Sequence, residues 1–257
     1  MRTALTRRQV IVGLGATALA GQVRLDRVGA AATPEAGTPY APEIDPAKFT
    51  TTIDNPFMPL MAGMSWVYDG ESDGAKQVNK VVVTSKTTEL MGVTCLGVHD
   101  TVEEKGELTE DTIDWYAQDS DGNVWYFGED TKELKNGKVT NTEGSWLAGK
   151  DGAYPGIIMP AKPTPDGPYR QEYLAGEAED MAKVIKLDGT ISNSYGDFTD
   201  VLVTEEWSDL EPDVLERKYY VSGIGMISSE IIKGGDEHFD LTTFEQGAGT
   251  PEATPGY

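Results

Sequence analysis

Thr112-Ile113-Asp114-Trp115-Tyr116-Ala117, followed by Gln118-Asp119-Ser120-Asp121-Gly122 and then Asn123-Val124-Trp125-Tyr126-Phe127, is the stretch on which the fold turns. Two aromatic, β-branched runs flank an Asp-Gly, the strongest short-range signal for a β-hairpin. Asp and Asn tolerate the turn angles, and Gly supplies a positive φ without steric cost. Side chains alternate between the faces of a strand, so neighbouring aromatics point to opposite sides. This hairpin therefore carries large apolar side chains on both faces. One face packs into a core; the other needs shelter from the 146–168 segment, a second sheet or a ligand. Trp115, Tyr116, Trp125, Tyr126 and Phe127 are accordingly the candidate ligand-binding residues.

The same pattern continues outward from the hairpin. Runs at 80–84 and 93–98 read as strands around a turn at Met91-Gly92, and further strands are predicted at 199–207, 216–221, 225–232 and 238–244. The segment 171–185 fits either a helix or a strand, and the alternation at 182–187 favours strand. Residues 146–168 hold five prolines and four glycines and are expected to form a long irregular segment, a feature often tied to function. The predicted class is all-β: a single antiparallel β-sandwich or half-open barrel with little helix, over residues 45–246.

Composition removes several classes of function. The 257 residues carry 43 acidic against 21 basic side chains, a formal net charge of −22. Such a surface repels nucleic-acid backbones and anionic lipid. Cys95 is the one cysteine, so no internal disulfide, cysteine zinc site or CxxC centre forms. Arg2, Arg7 and Arg8 precede an uncharged apolar run, 10–20, too short to span a bilayer and suited to a signal peptide. Thr6-Arg7-Arg8-Gln9-Val10-Ile11 is similar to the twin-arginine export signal, and Ala30-Ala31-Ala32 offers a cleavage site. Residues 1–32 are thus expected to be an export signal, and 33–44 and 247–257 mobile Thr/Pro-rich tails. The expected location is periplasmic, cell-wall-associated or extracellular, with no membrane span after cleavage.

Catalytic signatures are weak. Gly70-Glu71-Ser72-Asp73-Gly74 has the G-x-S-x-G spacing, but strands flank it on both sides where a nucleophile elbow needs a helix, so it reads as a hairpin turn. Asp119, Asp121 and Asn123 have the alternate-residue spacing that opens calcium loops and are the candidate metal ligands; Val124 stands where an EF-hand requires glycine. Glu129-Asp130, Glu179-Asp180 and Glu205-Glu206 cannot chelate as pairs, since adjacent strand residues face opposite sides. Asp114 and Glu129 lie across the hairpin and are the least arbitrary carboxylate pair for hydrolysis, although such residues are expected on a solvated face. His99, His238 and Cys95 suggest no constellation.

Asp54-Asn55-Pro56-Phe57-Met58-Pro59-Leu60, the hairpin 114–129, Pro155-Gly156-Ile157-Ile158-Met159-Pro160-Ala161 and Tyr169-Arg170-Gln171-Glu172-Tyr173 together resemble an uncharacterised family of secreted bacterial proteins. Lys218-Tyr219-Tyr220-Val221-Ser222-Gly223-Ile224-Gly225-Met226-Ile227 is similar to the last strands of LolA-like lipoprotein carriers. That second resemblance implies an incomplete barrel with an apolar cavity and no catalytic residues. The reading that follows is an exported, non-catalytic protein binding a small apolar or amphipathic molecule. Its alternatives are an extracytoplasmic carboxylate-dependent hydrolase, calcium-assisted, and a structural or interaction module of the cell surface. No cofactor other than calcium is indicated.

Overall fold

The β-branched and aromatic runs form strands, longer than the sequence reading drew them. The computed structural model describes residues 40–247, so the export signal assigned to 1–32, residues 33–39 of the first tail and residues 248–257 of the second lie outside the described residues. A short 3-10 turn, Pro46–Lys48, is followed by β1 (Phe49–Thr50), β2 (Ser65–Ser72), β3 (Ala75–Leu90), β4 (Val93–Glu104), β5 (Glu107–Asp119) and β6 (Val124–Lys135). Then come β7 (Lys138–Asn141), β8 (Trp146–Leu147), β9 (Tyr154–Met159), β10 (Pro168–Arg170) and β11 (Glu172–Tyr173). The last five are β12 (Asp180–Ser192), β13 (Asp197–Ser208), β14 (Leu215–Val221), β15 (Gly225–Lys233) and β16 (His238–Glu245).

Two antiparallel meanders, β2 to β6 and β12 to β16, join where β16 pairs with β2. The far edges are drawn together by one short segment. Its first half, β10, pairs with β12; its second half, β11, pairs with β9, which pairs with β6. Gln171 sits between the halves and donates its backbone N–H to Asp180 O. The sheet is therefore a nearly closed antiparallel barrel, the device by which all-β folds remove exposed edges. The 182–187 stretch is strand, inside β12. The 70–74 motif is a hairpin turn: Asp73 and Gly74 take φ of 52° and 71°, and Ser72 is buried.

The 146–168 segment departs from expectation, because it contains β8 and β9. Pro155 and Gly156 argued against a strand there, yet both serve it. Gly156 lets the Gln171 backbone pass where a Cβ would overlap it, so a two-sided pairing forms at the seam. Residues 40–44 also lie along the barrel: Tyr40 donates its hydroxyl to Pro155 O, and Arg170 sits over the Tyr40 and Tyr173 rings at 5.5 and 5.0 Å.

One end of the barrel is closed by the 53–60 segment. Asn55 staples it, donating to Gly122 O and Pro160 O, while its backbone N–H and that of Asp54 reach Gln118 Oε1. Met58 and Leu60 then fill the apolar interior beside Trp66, Tyr68 and Tyr220. The cavity left there is about 20 Å³, room for about one water molecule. At this end the interior is filled by the chain's own side chains, where the lipoprotein-carrier resemblance implied an apolar cavity.

Candidate functional site

The β5–β6 hairpin forms at the predicted turn, with Asp119 and Asn123 closing it. Its pairing then slips by one residue. Trp115 faces Gly128, but Tyr116 faces Tyr126, so Phe127 is an extra residue in a β-bulge. Gly128 at the bulge has φ of 132°, and a Cβ there would overlap the carbonyl oxygen of Trp146. Before the bulge, Tyr126 is inward and Trp125 outward. After it the parity flips, and Glu129 shares the inner face with Tyr126. Gly128→Ala is expected to destabilise the protein by about 3 kcal/mol through strained φ and lost β6–β8 pairing, read as a lower urea midpoint.

The hairpin aromatics separate into three environments. Tyr116 and Tyr126 are fully buried inside, stacked at 5.0 Å. Trp125 and Phe127 lie on the other side under Phe49 of β1, at 5.9 and 5.6 Å between centroids, and the Trp125 indole N–H donates to Asp119 Oδ2. Trp115 and Trp125 are both half-buried, and of the five it is Trp115 that lines the groove beside β8. Its ring lies over Gly97, where a Cβ would stand 2.8 Å from Cζ3.

That groove measures about 550 Å³. Its apolar surface comes from Trp115, Trp146, Leu147 and Leu174, and its charged surface from Glu129, Asp130, Asp151, Glu177 and Lys150. The volume lies in the range of small-molecule pockets. The 146–168 segment borders it through β8 and the turn after it. Trp146 is fixed by donating its N–H to Glu172 Oε2 and by an edge-on contact with Tyr126 at 5.3 Å.

Behind Glu129 lies an interior that sequence reasoning missed. Asp114 pairs directly with Glu129 across the strands, and both are buried, where a solvated face was expected. Asp100, Glu110, Glu172, Asp180, Glu206, Glu216 and Glu237 are buried as well, and Lys218 is the one buried cation among the described residues. Glu129-Asp130, Glu179-Asp180 and Glu205-Glu206 each send one member inward and one outward, as alternation required. Lys218 Nζ donates to Glu206 Oε2 at 2.8 Å and lies 3.5 Å from Glu216 Oε2. Burial alone would lower the Lys218 pKa, but Glu206 and Glu216 outweigh it and hold the ammonium charged.

Three carboxylates on the β4–β6 side lack such a cation. Asp100 Oδ1 accepts from Asn79 Nδ2, Asp114 Oδ1 from Tyr126 OH, and Glu129 Oε2 from Thr131 Oγ1. The second oxygen of each, and the Tyr116 hydroxyl, have no hydrogen-bond partner. Burial pushes the Asp114 carboxyl up to about 8, although the Tyr126 hydroxyl works against it. Burial, then mutual repulsion, raises Asp100 and Glu129; burial raises Glu110 despite the Thr112 hydroxyl. A parity signal exists in the sequence: Glu110, Thr112, Asp114 and Tyr116 share one face of β5. It becomes readable only once Tyr116 is known to point inward.

The predicted metal ligands serve the turn. Asp119 Oδ1 accepts from the Asp121 and Asn123 backbone N–H groups, and its Oδ2 accepts from Asn123 Nδ2 and the Trp125 indole; Asn123 Oδ1 accepts from Ala161 N. Among the described residues, no group of three or more His, Cys, Asp or Glu side chains is arranged to hold a metal ion. His99 Nε2 meets Asp111 Oδ1 at 2.9 Å, His238 is exposed, and Cys95 is buried with its thiol pushed up to about 12 by that burial.

No family model and no curated protein matches the chain. Two solved structures resemble it in fold. One, from Bacteroides fragilis NCTC 9343, is described as a "putative exported protein" with a YmcC-like fold; it is 16% identical with a TM-score of 0.44, over 74% of this chain and 99% of that one. The other, a "putative lipoprotein" from Parabacteroides distasonis ATCC 8503, is 11% identical with a TM-score of 0.41, over 74% of this chain and 99% of that one.

Proposed function

We propose that this chain is an exported, non-catalytic binding protein whose groove beside Trp115 holds a small apolar or amphipathic molecule. One observation carries the reading. The fold buries Tyr116, Tyr126 and Phe127 and packs half-buried Trp125 under Phe49, while the half-buried Trp115 indole lines a groove of about 550 Å³. Trp146, Leu147 and Leu174 complete an apolar surface that gains free energy when a ligand covers it. The interior beside Met58 and Leu60 leaves about 20 Å³, which supports the groove side of the β5–β6 hairpin as the binding surface.

The hydrolytic alternative fits this geometry less well. Asp114 and Glu129 are cross-strand neighbours, but Asp114 is fully buried and does not line the groove. The pair therefore does not flank a bond held in the groove, as the two carboxylates of a glycoside hydrolase do. The test is titration of the full chain with N-phenyl-1-naphthylamine, whose emission rises on leaving water. Saturable 1:1 binding is expected, weakened about tenfold in Trp115→Ala measured below its melting transition, with the β-sheet content unchanged by circular dichroism. Binding indifferent to Trp115→Ala would remove the groove from consideration.

A further inference from the structure

The two meanders are joined unequally. On one side β16 and β2 pair at seven positions. On the other, closure rests on the 168–173 segment, which meets β12 at three positions and β9 at two. One of those two is Pro155, which has no N–H to give. A chain of contacts runs from this seam to the interior acids. Glu172 of β11 accepts from the Trp146 indole at 2.9 Å. Trp146 is the strand partner of Glu129 and lies edge-on to Tyr126, whose hydroxyl donates to Asp114 at 2.8 Å. Asp180, buried where β12 begins, adds repulsion at Glu129 from across the seam.

Among the described residues, no buried cation stands in the wall formed by β4, β5 and β6. Asp100 and Asp114 repel each other there, and Glu110 lies further along β5 with Glu133 and Glu237 pressing on it. Lys218 is engaged by Glu206 and Glu216 on the β13–β14 side and also attracts Asp180. The phenols of Tyr68, Tyr116 and Tyr126 face the same acids, and burial keeps them neutral. Asp100, Asp114 and Glu129 each have one oxygen held and a second without a hydrogen-bond partner. Ionising them therefore leaves charge that no neighbouring donor meets. Water is the remedy at hand, and a join with so few pairs is the easiest to part. We propose that the 168–173 segment is a gate: it stays zipped to β9 and β12 while Asp100, Asp114 and Glu129 hold their protons, and it parts to admit water when they ionise. Burial raises all three carboxyls, Asp114 to about 8, so the gate is closed in acid and opens in alkali. Opening of this kind is independent of what the groove binds.

Hydrogen exchange of the full chain, read by mass spectrometry at about pH 5 and about pH 9 with labelling times scaled to the intrinsic rate, reports on the gate directly. Peptides covering 154–159 and 168–183 are expected to exchange about tenfold faster at the higher pH, while those from β2 and β3 stay protected. Asp114→Asn combined with Glu129→Gln should abolish that difference. Should the pair fail to fold, Asp114→Asn alone replaces it and should reduce the difference by about half, since Asp114 is the charge nearest in effect to both Asp100 and Glu129. A seam that exchanges alike at both pH values, whether fast or slow, overturns the gate. So does a loss of protection in β2 and β3 that keeps pace with the seam, which is unfolding of the whole barrel. A difference undiminished in the variants overturns it as well, because the interior carboxyls then do not drive the opening.

Discussion

Lowering the pH from about 8 to about 5 is expected to raise the urea midpoint of unfolding, by the equivalent of about 2–4 kcal/mol. Most globular proteins change little over that range and weaken below it. The difference lies in the interior carboxyl groups. Asp114 titrates near 8 when folded and near the ordinary value of about 4 when unfolded. Between those values the folded chain keeps a proton that the unfolded chain releases, so stability is fully present below about pH 4 and is lost as pH rises toward 8. Asp100, Glu110 and Glu129 are shifted in the same direction and add to the slope. Within this range, stability is therefore expected to be greatest at the acid end. Repulsion among surface acids has the same sign as the main effect but is screened by about 0.5 M salt, whereas the buried contribution persists. Asp114→Asn should flatten the slope and make the protein more stable than the parent at pH 9. A midpoint that climbs between pH 5 and 8 would refute this account of the interior.

Lys218→Met is expected to be among the most damaging single substitutions in the barrel. Lys218 is 2% exposed and neutralises Glu206 and Glu216 from the centre of β14. Removing the cation leaves two buried carboxylates facing each other. Breaking a buried ion pair in this way costs about 3–5 kcal/mol, or a fall in Tm of about 10 °C for a domain of this size. Adding Glu206→Gln and Glu216→Gln should restore most of the stability. A loss under about 1 kcal/mol would mean that Lys218 does not hold the interior charge together.

The two variants probe the part of the molecule hardest to see in the sequence. Alternation in 112–117 and 124–127 sufficed for the hairpin, and the partition of Glu129-Asp130 and Glu205-Glu206 between faces follows from the same period of two. What failed was the assumption that the polar positions of a strand face water. In β5 the residues in phase with Tyr116 are Asp114, Thr112 and Glu110, so one face begins as aromatic core and continues as buried acid. Local pattern cannot distinguish that face from a solvated one. Only closure of the sheet puts a second wall opposite it.

The sequence by itself determined the all-β class, the Asp119–Asn123 turn and the presence of aromatics on both sides of one ribbon, because these depend on side-chain period and on turn residues close together in the chain. Tertiary structure decided the rest. The one-residue bulge at Phe127–Gly128 reverses the parity of β6, and through it Glu129 joins the interior acids beside Asp114. Phe49, some 75 positions before Trp125, covers one part of the ribbon, while Trp146 and Leu174 border the part left open beside Trp115. Contacts between residues so far apart are set by how the sheet curls and closes, and no stretch of the chain records that on its own.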